Sequence, residues 1–97
     1  MNRKKFSDIS VDVWTELQRA YDKHVEDNPN RPNLFVSYTI LAEEVGEVAK
    51  AIIDEHFNGT GTLQELRVEL LQVAAMAAEM VAEVDRRCQK TIKTGKK

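Results

Sequence analysis

Apolar residues along this chain recur at spacings of three and four, and the pattern is interrupted twice. Val13, Leu17, Ala20, Tyr21 and His24 or Val25 mark one face of a first helix, with Ser10 placed to cap its start. Asn28-Pro29-Asn30-Arg31-Pro32-Asn33 then brings two prolines and three asparagines together, which predicts a turn. The pattern resumes through Leu34, Ile40, Leu41, Val45, Val48 and Ile52, predicting a second helix over about 33–56. Phe57-Asn58-Gly59-Thr60-Gly61 breaks it. Thr62-Leu63-Gln64-Glu65 has the form of a capping box, so a third helix is expected over about 62–87 through Leu66, Leu70, Val73, Ala77, Met80, Val81 and Val84. Thr91 to Lys97 reads as a basic, mobile tail. No segment has a strand pattern and none repeats. The expectation is an all-α fold, one antiparallel helical bundle spanning 1–97.

Acidic residues fall inside this apolar pattern. At about 100° per residue, Leu41, Val45, Val48 and Ile52 centre the stripe of the second helix. Glu44 lies at its margin beside Ile40 and Ala51, with Glu47 one turn on and Glu43 further out. On the third helix, Glu69 falls inside the edge of the stripe between Val73 and Met76, and Gln72 lies toward the polar side. Buried carboxylates must be paired, protonated or bound to a cation. Few basic residues are placed to pair them, since Lys50 stands three positions after Glu47 and Arg67 points away from Glu69. A hard divalent cation would satisfy the remaining charge, and Mg²⁺ prefers such oxygen donors. Gly46, inside the acidic run, is disfavoured by roughly 1 kcal/mol relative to Ala in a helix interior. A glycine there suits the close approach of a second helix or a ligand.

Composition removes several alternatives. A net charge of −2 argues against a general nucleic-acid face. The basic start, Met1 to Phe6, leads into Ser7-Asp8-Ile9-Ser10 rather than an apolar run, so it is not a signal peptide, and no stretch is apolar enough for a membrane span. Cys88 is the single cysteine, which excludes an intramolecular disulfide and a cysteine zinc cluster. A cytoplasmic location is expected. A chain of 97 residues buries a modest fraction of its surface, and one short first helix cannot cover two long apolar stripes. A partner subunit is the simplest cover, and the run Ala74-Ala75-Met76-Ala77-Ala78 supports close helix packing.

The motif Glu43-Glu44-x-x-Glu47, a gap of twenty-one residues, then Glu69 with Gln72 three positions on and an Ala-rich helix, resembles the MazG-like all-α nucleoside triphosphate pyrophosphohydrolases. The resemblance covers about residues 34–84. It implies a dimer or tetramer with a helical core shared between chains, and Mg²⁺-dependent hydrolysis (Mn²⁺ as a substitute) of a nucleoside triphosphate to the monophosphate and pyrophosphate. It also implies that Glu44, Glu47 and Glu69 are metal ligands and that Glu43 assists. Where the family motif has Asp, this chain has Gln72, and the flanking Gln-Val-Ala-Ala-Met is similar to a small single-domain branch that carries Gln there. An amide carbonyl coordinates a hard cation with a dipole in place of a charge, so metal affinity should fall. Two readings follow: Gln72 is a neutral ligand or accepts from metal-bound water, or the site binds nucleotides without turning them over. Glu43 or Glu47 would position or deprotonate the water.

Each of these residues also has an ordinary structural reading. An acidic helical run is usually a solvated face. Lys50 is a candidate phosphate contact or the partner of Glu47. Trp14, Phe35 and Tyr38 could stack on a base, although aromatic residues at helical spacing more often pack in a core. His24 suits a surface or helix C-cap position, and Cys88 carries no visible chemistry. The alternative to an enzyme is a helical oligomerisation or nucleotide-binding module whose acidic seam holds a structural cation.

Overall fold

The computed structural model describes the backbone of residues 1–27 and 33–94, and the side chains of residues 1–19 and 33–89. Three α-helices account for nearly all of it: α1 (Arg3–Asp27), α2 (Leu34–Ile53) and α3 (Leu63–Thr94), with a single π-helical turn, Asp54–Asn58, continuing α2. Among the described residues there is no strand, as the pattern predicted. Among the described residues, no helix is long and apolar enough to cross a membrane.

The helix starts follow from local capping chemistry. α1 begins seven residues before the expected cap, because Asn2 takes that role: its side-chain oxygen accepts from the Lys5 N–H at 2.8 Å. Ser10 lies within the helix and its hydroxyl donates to the Phe6 carbonyl at 2.9 Å. Asn33 caps α2 from an extended conformation, accepting from Phe35 N–H at 2.7 Å. The capping box of α3 is formed as expected. Thr62 Oγ1 accepts from the Glu65 N–H at 3.1 Å, and Glu65 accepts from the Thr62 N–H at 3.0 Å.

The helix ends differ more from expectation. α2 gives way at Asp54 to the π-turn, which closes on Gly59 in the left-handed region (φ 65°), with the Thr60 N–H donating to the Asp54 carbonyl at 3.0 Å. α3 runs on past Arg87 to Thr94, so part of the expected tail is helical. No helix breaker precedes Gly95, and Glu83 pairs with Arg86 and Arg87 at 2.7 and 2.9 Å on successive positions of that face. The Asn28 to Pro32 turn, the side chains of Ala20, Tyr21, His24 and Val25, and residues 95–97 lie outside the described residues.

α3 is the helix against which both others lie. The connection between α2 and α3 folds back on itself, since a Cβ on Gly61 would stand 3.2 Å from Asp54 Cβ. Glu44, earlier in α2, faces Gln72, later in α3, so the two helices are antiparallel. Arg67 of α3 is paired with Asp12 of α1. The side of α3 that is most enclosed carries Ala75, Met76 and Glu83.

The inward side of α2 is rotated from the expected stripe. Ser37 is buried and Ile40, Leu41, Glu44, Val48 and Ala51 are half-buried, whereas Val45 and Ile52, expected near the stripe centre, are exposed. Ala75 and Met76 are the buried apolar residues among those described. The radius of gyration is 16.3 Å, against about 13 Å for a compact chain of about this length.

Candidate functional site

The site forms where α2 and α3 cross, and α1 borders it. Glu44 and Glu69 reach it from different helices and are joined by one side chain. The Gln72 amide nitrogen donates to a carboxylate oxygen of Glu44 at 2.9 Å and to one of Glu69 at 3.0 Å. This amide orientation is the one that satisfies both carboxylates. The residue that departs from the acidic motif therefore lies at its centre.

Electrostatics at Glu44 follow from that packing. Burial pushes its carboxyl above the usual carboxylate range, and repulsion from Glu69, Glu47, Glu16 and Glu43 adds to the effect. Three of these carboxylates, Glu69, Glu47 and Glu43, belong to the acidic set expected from the sequence. Glu16, together with Arg19, belongs to α1 and was not among the expected residues. Its carboxylate accepts from Arg19 Nε at 3.2 Å, and the guanidinium is held above its ordinary pKa by Glu16 first, with Glu44 adding a smaller part. A Glu three positions before an Arg reads as an ordinary surface pair; only the packing of α1 on α3 brings it to the seam.

A cleft of about 130 Å³ opens beside this pair, between the second half of α2 and the start of α3. Glu47, Lys50, Asp54, Glu65 and Glu69 line it. Several of these charges are already engaged. Lys50 donates to Asp54 at 3.1 Å, so the expected i, i+3 pairing with Glu47 gives way to an i, i+4 pair. The Asp54 contact raises the Lys50 pKa, while Lys50 and Asn58 hold the Asp54 carboxyl below its usual range. Glu65 is occupied in the capping box. Among the described residues, Glu43 and Glu47 have no hydrogen-bonded or ion-paired partner; Glu47 faces the cleft and Glu43 is exposed outside its lining.

The expected ligand set is thus brought together in part. Glu44, Glu69 and Gln72 converge, and Glu47 shares a cleft with Glu69. Among the described residues, no three His, Cys, Asp or Glu side chains are disposed to hold one metal ion. Two carboxylates and an amide still fit the donor preference of Mg²⁺, which commonly takes one or two protein carboxylates and completes its shell with water and phosphate. The expected base contacts are dispersed on the surface. Trp14 is 59% exposed, Phe35 84% and Tyr38 62%, so none of the three is a core residue within one chain. Gly46 has no described atom within 4 Å of where a Cβ would stand, so close approach within this chain does not account for it.

No family model matches the chain, and no curated protein or solved structure matches it.

Proposed function

We propose that this protein is a Mg²⁺-dependent nucleoside triphosphate pyrophosphohydrolase of the MazG-like type, acting in the cytoplasm as a homodimer or homotetramer. The observation that carries the reading is the Glu44–Glu69 pair: two carboxylates from different helices, facing each other across a single amide beside an open acidic cleft. A structural interior would match such a pair with Arg or Lys, and here the joining group is neutral.

In this reading Glu44 and Glu69 would hold the cation, Mn²⁺ being able to replace Mg²⁺, and the Gln72 amide would turn over to present its oxygen in place of the nitrogen that bridges the two carboxylates. A bound Mg²⁺ supplies charge neutralisation at the phosphoanhydride. Glu47, unpaired and in the cleft lining, accepts a proton from the attacking water, and Glu43 supports the acidic field from the rim. Cleavage of the α–β phosphoanhydride then releases pyrophosphate and leaves the monophosphate. Lys50, held by Asp54 at the cleft, faces the phosphate tail. The exposed ring of Trp14 is a surface on which a base can stack.

Incubation with a panel of NTPs and dNTPs plus Mg²⁺ tests the proposal. Pyrophosphate is expected, and Glu44→Gln or Glu69→Gln should reduce its release at least ~100-fold, the scale of removing a group that stabilises transition-state charge. Inorganic phosphate as the sole product, or no turnover with any nucleotide, refutes it. The non-catalytic module has one observation in its favour: the Gln72 amide satisfies both carboxylates without a metal. That alternative predicts nucleotide binding or assembly with no pyrophosphate from any substrate.

A further inference from the structure

We infer that the outer face of α2 is a self-complementary seam, on which a second copy of this chain docks through its own α2 in antiparallel orientation. The inference concerns the oligomeric part of the proposed function and does not depend on the hydrolytic part. It starts from a second apolar stripe on α2, turned away from α3. Phe35, Tyr38, Ala42, Val45, Ala49 and Ile52 follow alternating spacings of three and four, the a and d positions of a heptad pattern, and every one of them is exposed. Over these 18 positions the stripe is roughly 26 Å long at 1.5 Å per residue. With Ile53 it presents roughly 500–600 Å² of apolar side chain, scaled from ~150–250 Å² per aromatic residue. That is at the upper end of what a monomer exposes. It also makes up most of the roughly 800 Å² per partner of a standard interface.

The residue sizes select both the occupant and its direction. In a parallel pair the layers would alternate Ala with Ala and Val or Ile with its own copy, so the helices would be drawn close at one layer and held apart at the next. An antiparallel pair whose two-fold axis passes near Glu47 sets Ala42 against the partner's Ile52 and Val45 against the partner's Ala49. These four layers each join one small and one large residue, which interdigitate at even spacing, and Phe35 and Tyr38 extend past them to lie opposite Gly59 and His56 in the π-turn segment of the second copy. The match exists within one sequence, so the partner that fits is another copy. Gly46 flanks the seam close to that axis, where the absence of a Cβ lets a neighbouring backbone approach.

Sedimentation and light scattering of the full chain, with an engineered cross-link, test this. Wild type is expected at twice the 11.0 kDa of one chain, or at four times if a further surface pairs dimers. Ala49→Glu should raise the dissociation constant of this contact at least ~100-fold, because a charge would enter the apolar layer. In a Cys88→Ser background, Ala42→Cys with Ile52→Cys should form an interchain disulfide under mild oxidation, while Ala42→Cys alone should not. Circular dichroism establishes that the variants stay helical, and if Ala49→Glu unfolds, the cross-link alone decides. Cross-linking by Ala42→Cys alone would overturn the antiparallel seam in favour of a parallel one. A wild-type oligomer indifferent to Ala49→Glu, with no cross-link from the double variant, would place the interface elsewhere and leave the oligomeric reading standing. A wild-type monomer at ~100 μM, a concentration far above the Kd of a stable dimer, would overturn both.

Discussion

Replacing Gln72 by Leu keeps roughly the same side-chain volume and removes the two N–H donors that stand 2.9 and 3.0 Å from Glu44 and Glu69. A hydrogen bond to a charged group contributes about 1.5–3 kcal/mol when its loss leaves the charge buried. Both carboxylates are half-buried, so water recovers part of that, and a combined loss of about 2 kcal/mol is expected. For a domain of this size it corresponds to a fall in Tm of roughly 8–16 °C. The pH dependence gives the prediction its specificity. Glu44 is raised in the folded state, first by burial and then by neighbouring carboxylates. A raised acid favours the fold fully below its unfolded pKa, and that contribution is lost as pH rises through the folded pKa. Removing the amide pushes Glu44 further up, so the Glu44 share of the penalty should be smaller near pH 4 than near pH 8. Mg²⁺ at ten times its Kd would return about 1.4 kcal/mol to any variant that still binds it. Thermal denaturation followed by far-UV circular dichroism, at fixed protein concentration and at several pH values, measures these quantities. A Gln72→Leu protein that melts with wild type at pH 8, or loses as much at pH 4 as at pH 8, would refute the bridging role of the amide.

Two further outcomes follow from local geometry. Thr62→Ala removes the hydroxyl that accepts from the Glu65 N–H, and should lower stability by about 1 kcal/mol in urea denaturation, with little further change in Thr62→Ser. Glu83 is held down to about 2, first by hydrogen bonding to Arg86 and then to Arg87. A depressed acid stabilises above its unfolded pKa and loses that contribution as pH falls through the folded value. Glu83→Gln should therefore melt below wild type at pH 7, and the difference should close as pH falls toward about 2.

The helical class was legible because capping and periodicity are local. Thr62 and Glu65 announced the start of α3 within four residues, and the structure forms the expected bonds. The start of α1 was not legible, because Asn2 and Ser10 are both competent caps and the choice rests on whether the intervening turns are stable. The site was legible as far as helical phase could carry it. Glu44 and Glu69 were expected to face a seam, and they do so across Gln72. The contribution of α1 was hidden, since Glu16 and Arg19 gain meaning only from the neighbour they are set against. The rotation of α2 had a related cause. A helix with apolar residues over most of its circumference has two candidate faces, and its own periodicity cannot say which one the chain covers.

The π-turn at Asp54–Asn58 holds one residue more than the α-turn it replaces, so the α2–α3 connection carries one residue of slack. Deleting one of the five would let the segment close as an α-turn, with the chain leaving α2 at nearly the same phase and Glu69 still arriving opposite Glu44. A second deletion has no such residue to give up and would turn the exit by about 100° around the α2 axis. Point substitutions at exposed His56 and Phe57, and one single-residue deletion between Asp54 and Asn58, should accordingly be tolerated, and a two-residue deletion should not. A deletion scan across the loop would show one permitted step and then loss of the site.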